Sequence, residues 1–195
     1  MSRITSLNGR SLISGAAQGP LLFADVGLTC WGGVGPCTGE VIARPHPRCG
    51  EQLGGQILAI PSGRGSCTGS SVLMELISNG HAPAALVLAE ADEILTLGVL
   101  VAQTLFERSL PVLCIGNEAF ARLRAGAFAR VEGDRVSLFD APPDDGWSPA
   151  LNEAQHQEPV CSIELTRHDR ALLDGEHGKA AQVAMQIVLR MAQLQ

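Results

Sequence analysis

The chain reads as a three-layer α/β domain, and three observations predict it. Residues 56–60, apolar from Ile57 on, 84–89 and 111–115 are apolar runs too short for helices and without the alternation of a half-exposed sheet, as expected of buried parallel strands. The intervals between them carry helical spacing, with apolar residues at 72, 73, 76 and 77 and a second helical stretch over 94–108. The 22 Gly and 11 Pro among 195 residues supply the many tight turns that such short elements need. The middle is thus β-α-β-α-β with β-rich flanks, and ligands are expected at strand carboxyl ends.

Taken in order, Leu12-Ile13 and Leu21-Leu22-Phe23 predict two strands on either side of a turn over 14–20. Residues 27–39 form a Gly-rich loop. Val41 and Ile42 begin a short strand that Pro45 and Pro47 break. After the strand at 56–60 comes the helix at 70–79, with Gly80 in the C′ position that favours a left-handed residue. A short helix is expected over 118–124 and a hairpin over 130–138 around Gly133-Asp134. Residues 140–158 are rich in Pro, Asp and Gln and lack periodicity. The organisation expected is a first domain over 1–140, a linker over 141–160 and a helical tail over 161–195. Thr166 would cap the tail, and Val183, Ile187, Val188 and Met191 share one face of its last helix. Two helices bury no core of their own, so the tail either docks on something or starts another domain.

Composition narrows the function classes. Hydrophobic residues are 46% and charged residues 17% of the chain, which is globular and not disordered. With no Tyr, two Trp and five Phe, the core must be aliphatic. A net charge of −6 without a basic run argues against nucleic-acid binding. No apolar run reaches the roughly 18 residues that span a bilayer, and the first ten residues lack an apolar signal core. The expectation is a cytoplasmic protein without membrane partners. Cys30, Cys37, Cys49, Cys67, Cys114 and Cys161 contain no C-x-x-C pair, and the default is reduced thiols. The spacings among Cys30, Cys37 and Cys49 fit no zinc pattern, so no metal ligands are assigned to this chain.

The segment with most chemistry is 59–75, Ala-Ile-Pro-Ser-Gly-Arg-Gly-Ser-Cys-Thr-Gly-Ser-Ser-Val-Leu-Met-Glu. A strand runs into a Gly- and hydroxyl-rich turn and then a helix. Helix N-terminal N–H groups without intrahelical partners, together with the positive dipole end, favour an anion there. Arg64, Ser66, Ser70 and Ser71 would bind a small carboxylate or phosphate, with one serine in proton transfer; an ordinary N-cap explains a serine equally. Trp31-Gly32-Gly33 permits close backbone approach to a ligand, or is a plain turn, with Trp31 an interface or core residue. His46, between Pro45 and Pro47, is expected to be extended and accessible, contacting an acidic substrate or simply solvated. His81 and Glu176-His177 read as structural. Glu90, Asp92 and Glu93 would serve acid–base chemistry or only place charge at a helix N-terminus.

Taken together, Trp31-Gly32-Gly33-Val34, Pro36, Thr38-Gly39, His46-Pro47, residues 54–58 and Pro61-Ser62-Gly63-Arg64-Gly65-Ser66-Cys67-Thr68-Gly69-Ser70-Ser71 resemble the swivel part of aconitase X. Gly80-His81-Ala82-Pro83 and residues 94–98 continue the resemblance over roughly 5–140. Residues 172–180, Leu-Leu-Asp-Gly-Glu-His-Gly-Lys-Ala, resemble the opening of the large catalytic part of the same family in its fused bacterial type. The resemblance implies an aconitase-type β/β/α swivel fold and a hydro-lyase active only with the large part, in cis or as a separate chain. The implied reaction is dehydration of cis-3-hydroxy-L-proline to Δ1-pyrroline-2-carboxylate. It also implies an iron–sulfur cluster or iron held by the large part. Ser66 matches the family's proton acceptor; Arg64, Gly65, Ser70, Ser71, Gly32, Gly33 and His46 are the implied substrate-binding set. Gly35 and Arg44 stand where the family has acidic residues, and Arg48 where it has an apolar one. The rival readings are a phosphomevalonate dehydratase small subunit, a non-catalytic interaction module and a phosphohistidine carrier, for which His46 is poorly placed.

Overall fold

A computed structural model describes residues 3–65 and 68–142. The elements are β1 (Arg3–Asn8), β2 (Arg10–Ile13), β3 (Ala16–Phe23), β4 (Ile57–Ile60), α1 (Thr68–Asn79), β5 (Ala85–Leu88), α2 (Glu93–Phe106), β6 (Val112–Cys114), α3 (Asn117–Arg122), a 3-10 turn (Leu123–Ala125), β7 (Phe128–Glu132) and β8 (Arg135–Phe139). The expected β-α-β-α-β unit is β4-α1-β5-α2-β6, with β4, β5 and β6 parallel neighbours.

The eight strands form one mixed sheet in the order β1-β8-β7-β3-β4-β5-β6-β2. The two end strands, β1 and β2, are consecutive in the chain and separated by Gly9 alone, so the sheet must curl almost into a barrel. Gly9 makes that bend possible: a Cβ there would lie 2.3 Å from the Cys114 carbonyl oxygen. β3 joins the two halves. Its residues 16–20 pair antiparallel with β7, and residues 21–23 pair parallel with β4.

All four residues of β4 and of β5 are buried, and their side chains alternate between two cores. Leu58, Ile60, Leu86 and Leu88 face α1 and α2, where they meet Val72, Leu73, Leu76, Leu95 and Val99. Ile57, Ala59, Ala85 and Val87 face the interior of the curled sheet, where Leu7, Val131, Val136, Leu138 and Phe120 meet them. The resulting layers are antiparallel strands, parallel strands and helices, the β/β/α arrangement expected. Each large aliphatic side chain so buried contributes about 1.5–3 kcal/mol. α1 ends in a Schellman motif: Gly80 (φ +75°) and His81 donate their N–H groups to the carbonyls of Ile77 and Leu76.

One strand is unannounced and two expectations are corrected. The polar first residues form β1, an edge strand in which Leu7 is buried and Asn8 exposed. The turn expected over 14–20 is confined to its start, because β3 begins at Ala16. Val41 forms only an isolated bridge to Val34, since the chain turns immediately afterwards. The linker beyond residue 142 and the helical tail lie outside the described residues. Among the described residues no helix is long and apolar enough to cross a membrane.

Candidate active site

At the carboxyl end of β4 the chain enters the loop singled out in the sequence. Two neighbours fix its course. The segment after β3 runs beside it in parallel, with Leu28 bridged to Gly63 and the Arg64 N–H donating to the Leu28 carbonyl at 3.0 Å. From the other side the Asp92 carboxylate accepts the Gly63 N–H at 2.7 Å through Oδ2. Its Oδ1 accepts the Leu95 N–H at 2.9 Å, which caps α2. Asp92 thereby ties the loop after β4 to the N-terminus of α2. The Asp92 main-chain carbonyl takes the Thr96 hydroxyl at 2.6 Å and so secures the cap.

Between these elements lies a small cavity of about 30 Å³. Leu28, Cys30, Arg64, Gly65, Gly69 and Asp92 line it, with Ile94 and Leu95 at the α2 side. Arg64 is exposed, with its methylenes against Gly27, where a Cβ would come within 2.7 Å of Cγ. The site is therefore an open hollow at a strand end, with one cation at its mouth and one engaged carboxylate in its wall. Cys30 is no nucleophile here: burial, and secondarily the Asp92 charge, push its thiol from 9.0 up to about 12.

The remaining predicted residues divide. Ser66 and Cys67 lie outside the described residues, but Gly65 and Gly69 on either side of them line the cavity. Ser70 is half-buried where α1 crosses α2; its carbonyl oxygen lies 2.6 Å from where a Cβ on Gly98 would sit. Ser71 is exposed. Neither serine lines the cavity, and neither do Gly32 and Gly33. Gly32 (φ +68°) faces open space, whereas Gly33 is wedged against the Thr29 carbonyl, 2.0 Å from any Cβ. Sequence reasoning passed over Leu28, Cys30, Gly69 and the role of Asp92. The signal for Asp92 was its place just before an apolar helix, but its bond to Gly63, 29 residues away, leaves no trace in the sequence. Glu90 and Glu93 are exposed, so the three-carboxylate cluster does not form one site.

His46 is the clearest correction. It is 8% exposed, not accessible, and lies outside the cavity. The prolines bracket successive turns instead of an extended stretch: the His46 N–H donates to Ala43 and the Cys49 N–H to the His46 carbonyl. Nδ1 accepts the Arg48 N–H at 3.2 Å, and Nε2 is buried beside the Val26 carbonyl without a formed hydrogen bond. Burial lowers its pKa; the Val26 carbonyl opposes the shift and the Arg48 charge adds to it. The sign follows: the unfolded state binds the proton more tightly, so neutral His46 contributes full stability above its unfolded value of about 6.5, and this is lost as pH falls below it. Wild type is expected to lose more thermal stability between pH 7.5 and 5.5 than His46→Asn, compared by calorimetry; parallel curves would refute the assignment.

The expectation of reduced thiols fails at Cys37, which is disulfide-bonded. Cys30, Cys49 and Cys114 are free. Sequence spacing cannot reveal a pairing that the fold creates. Among the described residues no three His, Cys, Asp or Glu side chains are placed to hold a metal. The described lining of the cavity offers one thiol, Cys30, fewer than an iron–sulfur cluster needs.

Comparison with known proteins accounts for this arrangement. The family model described as the aconitase X swivel domain matches residues 6–138. The chain is 54% identical over 187 residues to a cis-3-hydroxy-L-proline dehydratase of Pseudomonas aeruginosa, covering 95% of this chain and 31% of that protein. It is 34% identical to a phosphomevalonate dehydratase small subunit of Thermococcus onnurineus, covering 66% of this chain and 92% of that one. The crystal structure of Thermococcus kodakaraensis aconitase X in its holo-form superimposes with a TM-score of 0.62 at 29% identity, over 69% of this chain and 98% of that chain. The chain thus spans about a third of the length of that dehydratase and nearly all of the small subunit. A curled mixed sheet, a Gly-rich loop at the β4 end and a match across both place this chain in the aconitase X swivel-domain family.

Proposed function

We propose that this chain is the swivel part of a hydro-lyase that dehydrates cis-3-hydroxy-L-proline to Δ1-pyrroline-2-carboxylate together with a larger catalytic part. The observation that carries the reading is the open hollow at the β4 end, whose lining residues Arg64, Gly65 and Gly69 flank the position of Ser66. The 54% identical dehydratase supplies the choice of reaction. In this reading Arg64 and Gly65 hold the substrate carboxylate, and Ser66 accepts the proton from the carbon bearing it. The C3–O bond then breaks, the hydroxyl leaves as water with a proton supplied from the larger part or from solvent, and the resulting enamine tautomerises to the cyclic imine. Serine is a weak base, so the step requires donors that stabilise its alkoxide; the first N–H groups of α1 and the Arg64 guanidinium are the ones this chain can offer. Ser70 and Ser71 are second choices for the same role. The iron–sulfur centre that the resemblance implies does not fit the described residues, and we assign it to the larger part; no step is derived through it. The domain division at 140, the linker and a cytoplasmic setting belong to the same proposal.

A second reading, a phosphomevalonate dehydratase small subunit, is supported by the 92% coverage of the Thermococcus relative. A substrate assay separates the two. We expect the chain, joined to the larger part by replacing the segment it matches in the Pseudomonas enzyme, to turn over cis-3-hydroxy-L-proline at least 100-fold faster than phosphomevalonate, an estimate based on the discrimination that unpaired polar groups impose. The reverse preference, or turnover by the isolated 195-residue chain, would overturn the proposal.

A further inference from the structure

Four large hydrophobic side chains are exposed among the described residues: Ile4 at 43%, Val26 at 40%, Trp31 at 63% and Ile42 at 46%. Three of them lie on one pair of packed loops. The Ile42 and Ala43 N–H groups both donate to the Gly33 carbonyl, at 2.8 and 3.1 Å, which sets Ile42 beside the Trp31-Gly32 turn. Val26 joins from the other side, its carbonyl next to the buried His46 ring of the second loop. The base is stiff. Val34 pairs with Val41, the Val34 N–H closes a turn on the Cys30 carbonyl, and the Arg48 Nε holds the Phe23 carbonyl at 2.7 Å. Apolar side chains grouped on an ordered support, with a tryptophan among them, mark a contact face more than a loose loop.

The patch is continuous with the active-site hollow. Cys30, next to Trp31, lines the cavity, and Gly27, next to Val26, lies under Arg64. Val26 and Trp31 are thus each one residue away from a position that touches Arg64 or the cavity. The Pseudomonas relative has over two thirds of its length outside the match, so an occupant of sufficient size exists in a protein of this kind. We infer that Val26, Trp31 and Ile42 form the seat for the larger catalytic part, with Trp31 as its apolar anchor at the rim of the substrate hollow. The inference rests on the proposal that a larger part completes this site. It makes Trp31 an interface residue and not a ligand of the substrate.

Hydroxyl-radical footprinting read by mass spectrometry tests it without requiring turnover. The 195-residue chain and the protein joined to the larger part are compared after cooperative unfolding shows that each is folded. Trp31 oxidation is expected to fall at least about fivefold in the joined protein, while the peptide containing Ile4 on β1 reacts equally in both. Equal Trp31 oxidation in the two overturns the inference, as does protection in the isolated chain that grows with its concentration, which indicates a second copy on the patch. Trp31→Ser provides a separate check. It is expected to leave the melting temperature of the isolated chain within about 2 °C, as for an exposed side chain, and to cut activity of the joined protein roughly tenfold where Ile4→Ser does not. Trp31 protection in a joined protein that does not dehydrate cis-3-hydroxy-L-proline leaves the seat standing and removes only the substrate.

Discussion

Ser66→Ala in the protein joined to its larger part is expected to lower kcat by about 10²–10⁴, the range that a positioned proton-transfer group contributes. KM should change little, because Arg64 and the backbone of the loop, not the hydroxyl, would hold the carboxylate in the ground state. The melting temperature should also stay close to wild type, since the substitution removes a single oxygen atom. Two further variants sharpen the result. Ser71 is exposed on α1 and does not line the cavity, so Ser71→Ala is expected to keep activity within about twofold. Ser70 sits at the contact between α1 and α2, and its loss should appear in stability before rate. Steady-state kinetics on all three variants decides the assignment. Full activity in Ser66→Ala, or an equal collapse in Ser71→Ala, would falsify it.

The part of the structure legible in the sequence is the part in which one side-chain pattern has one cause. β4 and β5 are covered on both faces, so every residue is apolar, and the run announces a buried parallel strand. Gly80 announces the end of α1 because only a left-handed residue closes that turn cheaply. β1 stayed hidden because an edge strand needs one apolar face at most, and here Leu7 alone is buried, between half-buried Ser6 and exposed Asn8. The start of β3 stayed hidden because Gly19 and Pro20 signal a turn, although Gly19 is there to let the strand pass the Gly55 carbonyl. In the site, Arg64 and Gly65 were legible from the Gly-rich strand-to-helix turn. His46 was misread because flanking prolines restrict only its own backbone, and its burial depends on loops from elsewhere in the chain. The exposure of Trp31 was equally out of reach of periodicity, which cannot tell an anchor for another domain from a core residue.

Asp92 carries the second large effect, and its variants separate support from chemistry. Asp92→Ala removes the cap of α2, typically worth about 1 kcal/mol. It also leaves the half-buried Gly63 N–H without its acceptor, at a cost of about 1–3 kcal/mol. The expected loss is therefore about 2–4 kcal/mol, read as a fall of roughly 5–15 °C in melting temperature for a domain of this size. Catalysis should suffer through position: the loop bearing Arg64 loses one of its two fixings, and KM should rise about tenfold while kcat falls less. Asp92→Asn is the informative partner. Its amide oxygen can still cap α2 through the Leu95 N–H, but its nitrogen cannot accept from Gly63. About half of the stability loss and a smaller rise in KM are expected. The opposite outcome, an Asp92→Asn protein with native melting temperature and a rate reduced a thousandfold or more, would assign Asp92 to proton transfer in its own right. The two hydrogen bonds argue against that outcome, because a carboxylate with an oxygen committed to each of two elements is placed to hold them together, and moving to meet a substrate would break both.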